Sequence, residues 1–255
     1  MEFVEKLPES KKLYFASDFH LGAPTPEASF AREKKLIRWL EKVKEDAYAI
    51  FLLGDLYDFW FEYKHAIPKG FTRFNGKLAE INDSGIKVFI FTGNHDMWMF
   101  NYFQKELGIP VFFEPRRLEV NGTRFLIGHG DGLGPGDKKY KILKRIFASK
   151  LSQWMFARIH PNLGIGLAKR WSKNSRLTNE EYEEKSYGEK EFLFQYCRDI
   201  ESVMHHDYYI FGHRHISMEL EVGNNSRYVN LGEWVNNSTY ATFESDKVIL
   251  CSFED

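Results

Sequence analysis

Five apolar runs rich in Val, Ile, Phe and Tyr recur along the chain, at 13–17 (LYFAS), 48–53 (YAIFLL), 87–92 (KVFIFT), 124–128 (RFLIG) and 207–212 (DYYIFG). Runs this short and this continuously apolar read as strands covered on both faces. Between the first three lie SFAREKKLIRWLEKVKED and RFNGKLAEINDSG, long and periodic enough for crossover helices. This alternation predicts a layered α/β fold with largely parallel pairing in its first half. SRYVNLGEW, YATFES and KVILCSFE read as further strands joined by short turns. With 255 residues, 43% of them hydrophobic, the chain can bury one sizeable core. No repeat or low-complexity linker divides it, so a single domain over 1–255 is expected.

Each of the five runs leads into polar residues of one kind. Asp18 and His20 follow the first (SDFH), Asp55 the second (GDLYD), and Asn94, His95 and Asp96 the third (GNHD). His129 and Asp131 follow the fourth (GHGD), and His213 and His215 the fifth (GHRH). In open α/β sheets the carboxyl ends of the strands form a common rim where sites assemble. An isolated Asp or His at a strand end is ordinarily a turn or cap residue. Here five of nine histidines fall in these motifs, each after an apolar run, and coincidence is a poor explanation.

Carboxylate, imidazole and amide oxygen together suit Mn, Fe or Zn better than Ca. If these segments are extended, residues i and i+2 face one side, so Asp18 and His20 aim at one ion, and His213 and His215 at a pair. Two divalent ions bridged by a carboxylate, for which Asp55 is the candidate, are a standard device for phosphoryl displacement. Glycines before Asp55, Asn94, His129 and His213 are expected to let the backbone turn sharply.

The stretch from residue 138 breaks the strand pattern. Leu143, Ile146, Phe147, Leu151, Trp154, Met155 and Ile159 follow helical spacing, and a helical insertion or lid over 138–205 is expected. Residues 138–176 hold eleven Lys or Arg and no Asp or Glu, whereas 179–191 hold six Glu. A basic, apolar segment of this kind is attracted to anionic membrane surfaces, although the stripe could equally pack on the sheet with its charges in water. Net charge is −1, and no nucleic-acid motif accompanies the basic stretch, so no nucleic acid is expected as partner. Two cysteines and an N-terminal MEFVEKLPESKK without an apolar core region predict a cytoplasmic protein that neither is exported nor spans a membrane.

The ordered motifs Asp18-Phe-His20, Gly54-Asp55-Leu-Tyr-Asp58, Gly93-Asn94-His95-Asp96, Gly128-His129 and Gly212-His213-Arg-His215 resemble the signature of the calcineurin-like metallophosphoesterases. The resemblance implies a four-layer αββα sandwich and two divalent ions, often Mn. It assigns Asp18, His20, Asp55 and His215 to one ion, and Asp55, Asn94, His129 and His213 to the other. His95 then becomes the general acid or phosphate-contacting cation. Asp96 either orients it or caps a helix beginning at MWMFNYFQKEL.

GDGLGPGDKKYK, the helical insertion and KRWSKNSR are similar to a narrower group, the bacterial UDP-2,3-diacylglucosamine diphosphatases of lipid A biosynthesis. There the insertion is a lid enclosing acyl chains, and the products are UMP and 2,3-diacylglucosamine 1-phosphate. That likeness implies substrate contacts at Asp137, Tyr140, Asn174, Ser175 and Arg176, a lipid-linked nucleotide substrate, and a peripheral position on the inner membrane. Those enzymes usually carry Gly-Asn-Arg-Asp where this chain has His95. A soluble phosphodiesterase or protein phosphatase and a non-catalytic scaffold are the competing readings, although no ligand of the signature is missing.

Overall fold

The structure, a computed structural model, describes residues 3–183, 187–223 and 225–254, without the side chains of 3–5 and 173–183. In chain order the elements are β1 (Phe3–Glu5), β2 (Lys12–Ala16), α1 (Pro26–Val43), β3 (Ala47–Leu53), α2 (Thr72–Asp83), β4 (Lys87–Phe91) and α3 (Tyr102–Glu106). Then follow β5 (Val111–Phe112), β6 (Arg116–Val120), β7 (Thr123–Gly128), α4 (Lys138–Ala148), α5 (Lys150–Phe156), α6 (Pro161–Glu183) and α7 (Phe192–Glu201). The chain closes with β8 (Tyr208–Phe211), β9 (Ser217–Gly223), β10 (Ser226–Leu231), β11 (Thr239–Glu244) and β12 (Lys247–Ser252).

The strands form two six-stranded sheets. Sheet I runs β12-β11-β2-β3-β4-β5 and sheet II runs β1-β6-β7-β8-β10-β9. The pairs β2–β3, β3–β4 and β4–β5 are parallel, as the helix-strand alternation predicts. The three C-terminal strands do not stay together, since β10 pairs in sheet II while β11 and β12 extend sheet I.

Period-two alternation builds the layers. Leu13, Phe15, Phe51, Leu53 and Phe91 face the opposite sheet and meet Phe125, Ile127, Ile210 and Val229 in an inter-sheet core. Their neighbours Ala16, Ile50, Leu52 and Ile90 face outward onto α1 and α2 through Leu36, Trp39 and Leu78. On the far side Tyr209, Phe211 and Tyr228 pack on Leu193, Phe194 and Cys197 of α7. The result is the four-layer αββα sandwich.

The helical region expected over 138–205 therefore divides. α7 is a layer of the sandwich, whereas α4, α5 and α6 lie beyond the sheets. Their Phe147, Phe156, Ile165 and Ala168 pack on Phe59, Phe61 and Trp98, in the segments that follow β3 and β4. The Trp98 indole N–H also donates to the Phe147 carbonyl at 2.9 Å. No helix among the described residues is long and apolar enough to cross a membrane.

Candidate metal centre

Strand β2 ends at Ala16, β3 at Leu53 and β8 at Phe211, so the polar residues lie in the turns beyond them rather than on extended strand. Asp18, His20, Asp55, His213 and His215 all adopt left-handed backbone, with φ of 57°, 44°, 52°, 70° and 53°. Non-glycine residues held there cost on the order of 1–3 kcal/mol each and persist only where surrounding contacts fix them. The extended i, i+2 geometry is therefore replaced by turns that curl each side chain back onto the rim.

Those contacts are visible. Buried Arg32 on α1 donates to the carbonyls of Phe19 (2.7 Å), His20 (2.7 Å) and Ala23 (2.5 Å), gripping the His20 turn from beneath. Arg214, between the two histidines of its turn, points away from them into a buried ion pair with Glu191 at 2.7 Å. Asp96, fully buried, accepts from the amides of Gly93 (2.7 Å), Leu56 (2.7 Å), Asp55 (3.3 Å) and Tyr57 (3.4 Å), tying the β3 and β4 turns together. The helix expected from Asp96 starts at Tyr102 instead, and the groups that meet His95 Nδ1 are Asp58 and Ser172 rather than Asp96. Asp96 is thus a backbone clamp, because four amides already take up both of its oxygens.

The glycines act differently from one another. Gly54 is left-handed (φ 89°), and a Cβ there would meet His129 Nδ1 at 2.7 Å. Gly93 needs no unusual φ, but a Cβ would fall on the Asp55 carboxylate and within 2.7 Å of the Asp55 amide.

Around this frame the side chains converge. His20 Nε2 lies 3.0 Å from His215 Nε2, and Asp18 Oδ1 is 3.2 Å from His215 Nε2. On the other side His129 Nε2 is 3.2 Å from Asp55 Oδ2 and 3.2 Å from Asn94 Oδ1, and the His213 ring packs against His129 at 5.2 Å. Ligand atoms of Asp18, His20 and His215 lie within 4.8 Å of one another, as do those of Asp18, Asp55 and His129 and those of His20, Asp55 and His95. Asp18, His20 and Asp55 each belong to two of these groups, so the three clusters form one continuous donor set.

The donor set fits divalent cations on internal grounds. His129 Nδ1 donates to the Leu53 carbonyl at 2.8 Å, so in the neutral ring Nε2 is a lone pair aimed at two oxygens. His20 Nδ1 is buried without a hydrogen-bond partner, and Asp18 Oδ1, although 3.2 Å from His215 Nε2, accepts no well-aligned hydrogen bond. Burial holds His20 and His213 down at about 4, leaving both neutral and ready to ligate. Burial would lower His129 too, but the Asp55 carboxylate raises it to about 10. A proton there does the work that a cation would do with the ring neutral. Burial would raise Asp18 and Asp55, yet the surrounding histidines hold both below the usual carboxylate range. Asp96 is pushed up to about 7, first by burial and then by Asp55, against the pull of its amides.

His95 stands at the edge of the cluster, its ring 4.9 Å from that of His20. Its Nδ1 donates to the Asp58 carbonyl at 3.0 Å, which leaves Nε2 for an incoming group. Of the residues expected at the substrate, Tyr140 donates to Asp131 at 2.5 Å and lines a cavity, while Asp137 is exposed in left-handed backbone at the start of α4. The side chains of Asn174, Ser175 and Arg176 lie outside the described residues. Sequence reasoning missed Ser172, Lys144 and Arg32. Lys144 reaches Asp131 at 2.7 Å, and nothing in local spacing announces that contact.

A cavity of about 480 Å³ opens from Asn94, His95 and Asp58 and runs between α4, α5 and α6. Trp98, Phe147, Phe156, Leu167 and Trp171 make most of it apolar.

A rim of buried carboxylates with buried and half-buried imidazoles and an amide on an αββα sandwich defines a metal-dependent phosphoesterase. Residues 11–217 match the family model for calcineurin-like phosphoesterases, and the chain belongs to that family of metal-dependent hydrolases. Within it, a UDP-2,3-diacylglucosamine hydrolase of Porphyromonas gingivalis is 36% identical over 260 residues, covering 96% of this chain and 98% of that protein. A protein described in the same words from Aeromonas salmonicida is 30% identical over 171 residues, covering 65% of this chain and 63% of its own length. Among solved structures, a dimetal phosphatase from Danio rerio aligns over 96% of each chain at 12% identity and a TM-score of 0.44.

Proposed function

We propose that the protein hydrolyses the pyrophosphate of UDP-2,3-diacylglucosamine, releasing UMP and 2,3-diacylglucosamine 1-phosphate for lipid A biosynthesis. The observation that carries this reading is the continuity of the apolar cavity with the cluster at Asn94 and His95. Acyl chains would fill such a cavity, each methylene buried in it contributing about 0.8 kcal/mol. The likeness to the Porphyromonas protein supports the same substrate.

In this reading Asp18, His20, Asp55 and His215 hold one divalent ion, Asp55, Asn94, His129 and His213 the other, and Mn²⁺ is the favoured metal. Such a pair, when bound, acidifies water and neutralises charge developing on phosphoryl oxygens. Asp55 spans the two positions, and Asp96 and Gly93 keep its carboxylate in place. His95 Nε2 meets the phosphate as a cation or proton donor, its ring steered by Asp58. Trp98, Phe147 and Phe156 exclude water from the acyl chains. Asp137, Tyr140, Asn174, Ser175 and Arg176 contact the substrate's polar head where α4 and α6 meet the rim.

The lid's outer face exposes Ile142, Ile146, Leu151, Trp154, Met155 and Leu163 within the basic segment. We place that face on the anionic cytoplasmic surface of the inner membrane, where each suitably placed Lys or Arg contributes about 1 kcal/mol. The test is chromatography of uridine products from purified protein with Mn²⁺. UMP should form from UDP-2,3-diacylglucosamine, at least about 100-fold faster than from UDP-glucosamine lacking acyl chains. Rapid cleavage of an artificial phosphodiester with the lipid substrate untouched would refute the assignment.

A further inference from the structure

Ser172 belongs to the lid, yet it touches the rim. Its hydroxyl donates to Asp58 Oδ1 at 2.8 Å, and its Oγ stands 3.1 Å from His95 Nδ1. With the serine proton directed to Asp58, the Oγ lone pairs are left to accept from His95 Nδ1–H, the nitrogen that also donates to the Asp58 carbonyl. Ser172 is 8% exposed, so these bonds compete little with water.

The placement of Ser172 depends on how α6 is seated. One helical turn earlier Ala168 packs against the Phe59, Phe61 and Trp98 cluster, and on a helix residues i and i+4 share a face. Trp171, next to the serine, meets Phe147 of α4 edge-on at 5.3 Å. Ala168, Trp171, Ser172 and His95 all line the cavity. Whatever fills the cavity therefore lies against the helix that carries the serine and against the ring that the serine holds.

We propose that Ser172 is a positioning residue that makes the orientation of the His95 imidazole depend on the seating of α6 over the cavity. The inference rests on the reading of His95 as the group that meets the phosphate. A properly seated lid then gives His95 Nδ1–H a second acceptor beside the Asp58 carbonyl, and a displaced lid leaves the ring held by that carbonyl alone. Misplacement of such a group by about 1 Å can cost up to about 100-fold in rate.

The test compares Ser172→Ala and Ser172→Thr with the wild type on UDP-2,3-diacylglucosamine and on bis(p-nitrophenyl) phosphate, both with Mn²⁺. Ser172→Ala should lower kcat about tenfold with KM changed less than about twofold, and Ser172→Thr, which keeps the hydroxyl, should restore most of the loss. In a His95→Gln background Ser172→Ala should cost nothing further, because its effect passes through that ring. If only the artificial ester is cleaved, the lipid assignment fails while the ester still reports on Ser172. A readout independent of turnover is the ¹H–¹⁵N signal of His95 Nδ1–H in protein without added metal. It should be sharp in the wild type and in Ser172→Thr and broadened by exchange in Ser172→Ala. An unchanged signal in Ser172→Ala, or an equal loss of kcat in the His95→Gln background, would overturn the proposal.

Discussion

His20 Nε2 and His215 Nε2 face each other at 3.0 Å across 195 residues of sequence. Two neutral imidazoles held this way point lone pairs at one another unless a proton or a cation lies between them. A divalent ion that binds the folded chain and not the unfolded one stabilises it by about 4 kcal/mol at 1,000 times its Kd. For a chain of this size that corresponds to roughly 10 °C in Tm. Calorimetry should show that rise with Mn²⁺, its loss with EDTA, and no response in Asp18→Ala. A wild-type Tm indifferent to the metal would contradict the donor geometry.

Asp96→Asn tests the clamp beneath the site. Four amides converge on the carboxylate, and an asparagine would turn an NH₂ group toward two of them. Urea denaturation should show a loss of about 2–4 kcal/mol, because two buried amides lose their acceptor and face a donor instead. An exchange of less than about 0.5 kcal/mol would mean that the amides find other partners.

These two sites differ in how far the sequence announces them. β2, β3, β4, β7 and β8 are legible because both faces are covered and the run of apolar residues is unbroken. β9 alternates exposed and half-buried residues at a sheet edge, and β6 is RRLEV, so neither stands out from a loop. The motif residues Asp18, His20, Asp55, Asn94, His129, His213 and His215 are legible as a group because each follows a strand on the common rim. The role of Asp96 is not, since backbone amides of a turn 40 residues away carry no sequence signal. Ser172 is hidden for the same reason, lying 114 residues from Asp58.

A pH-dependent term lies far from the metal cluster. His205 bonds Glu201 at 2.7 Å with Asp207 at 3.4 Å and Ser226 at 3.3 Å, and chiefly Glu201 raises its pKa above the ordinary value. Burial would raise Glu201, but His205 and neighbouring donors bring it to about 2. Stability from a raised histidine is fully present below about pH 6.5 and fades as pH climbs through the folded value. Because His205 is largely solvated, His205→Asn should cost no more than about 1 kcal/mol at about pH 5.5 and less at about pH 9. Urea midpoints at the two pH values check this, and a cost that grows with pH would be the wrong sign.

Filling the cavity tests what it is for. Ala168 borders it on α6, and Ala168→Trp would occupy space assigned to acyl chain. The ratio of kcat/KM for UDP-2,3-diacylglucosamine to that for bis(p-nitrophenyl) phosphate should fall at least about tenfold, since each displaced methylene forfeits about 0.8 kcal/mol. An unchanged ratio would place the acyl chains elsewhere.

Titration of Mn²⁺ into metal-free protein, with bound ions counted and UMP release followed on the same samples, addresses the dinuclear centre directly. Two ions per chain are expected, with hydrolysis rising as the second binds, and Asp55→Asn should lose both because its carboxylate spans the two positions. A single ion at saturation, or full hydrolysis in the presence of EDTA, would contradict a two-metal hydrolytic site.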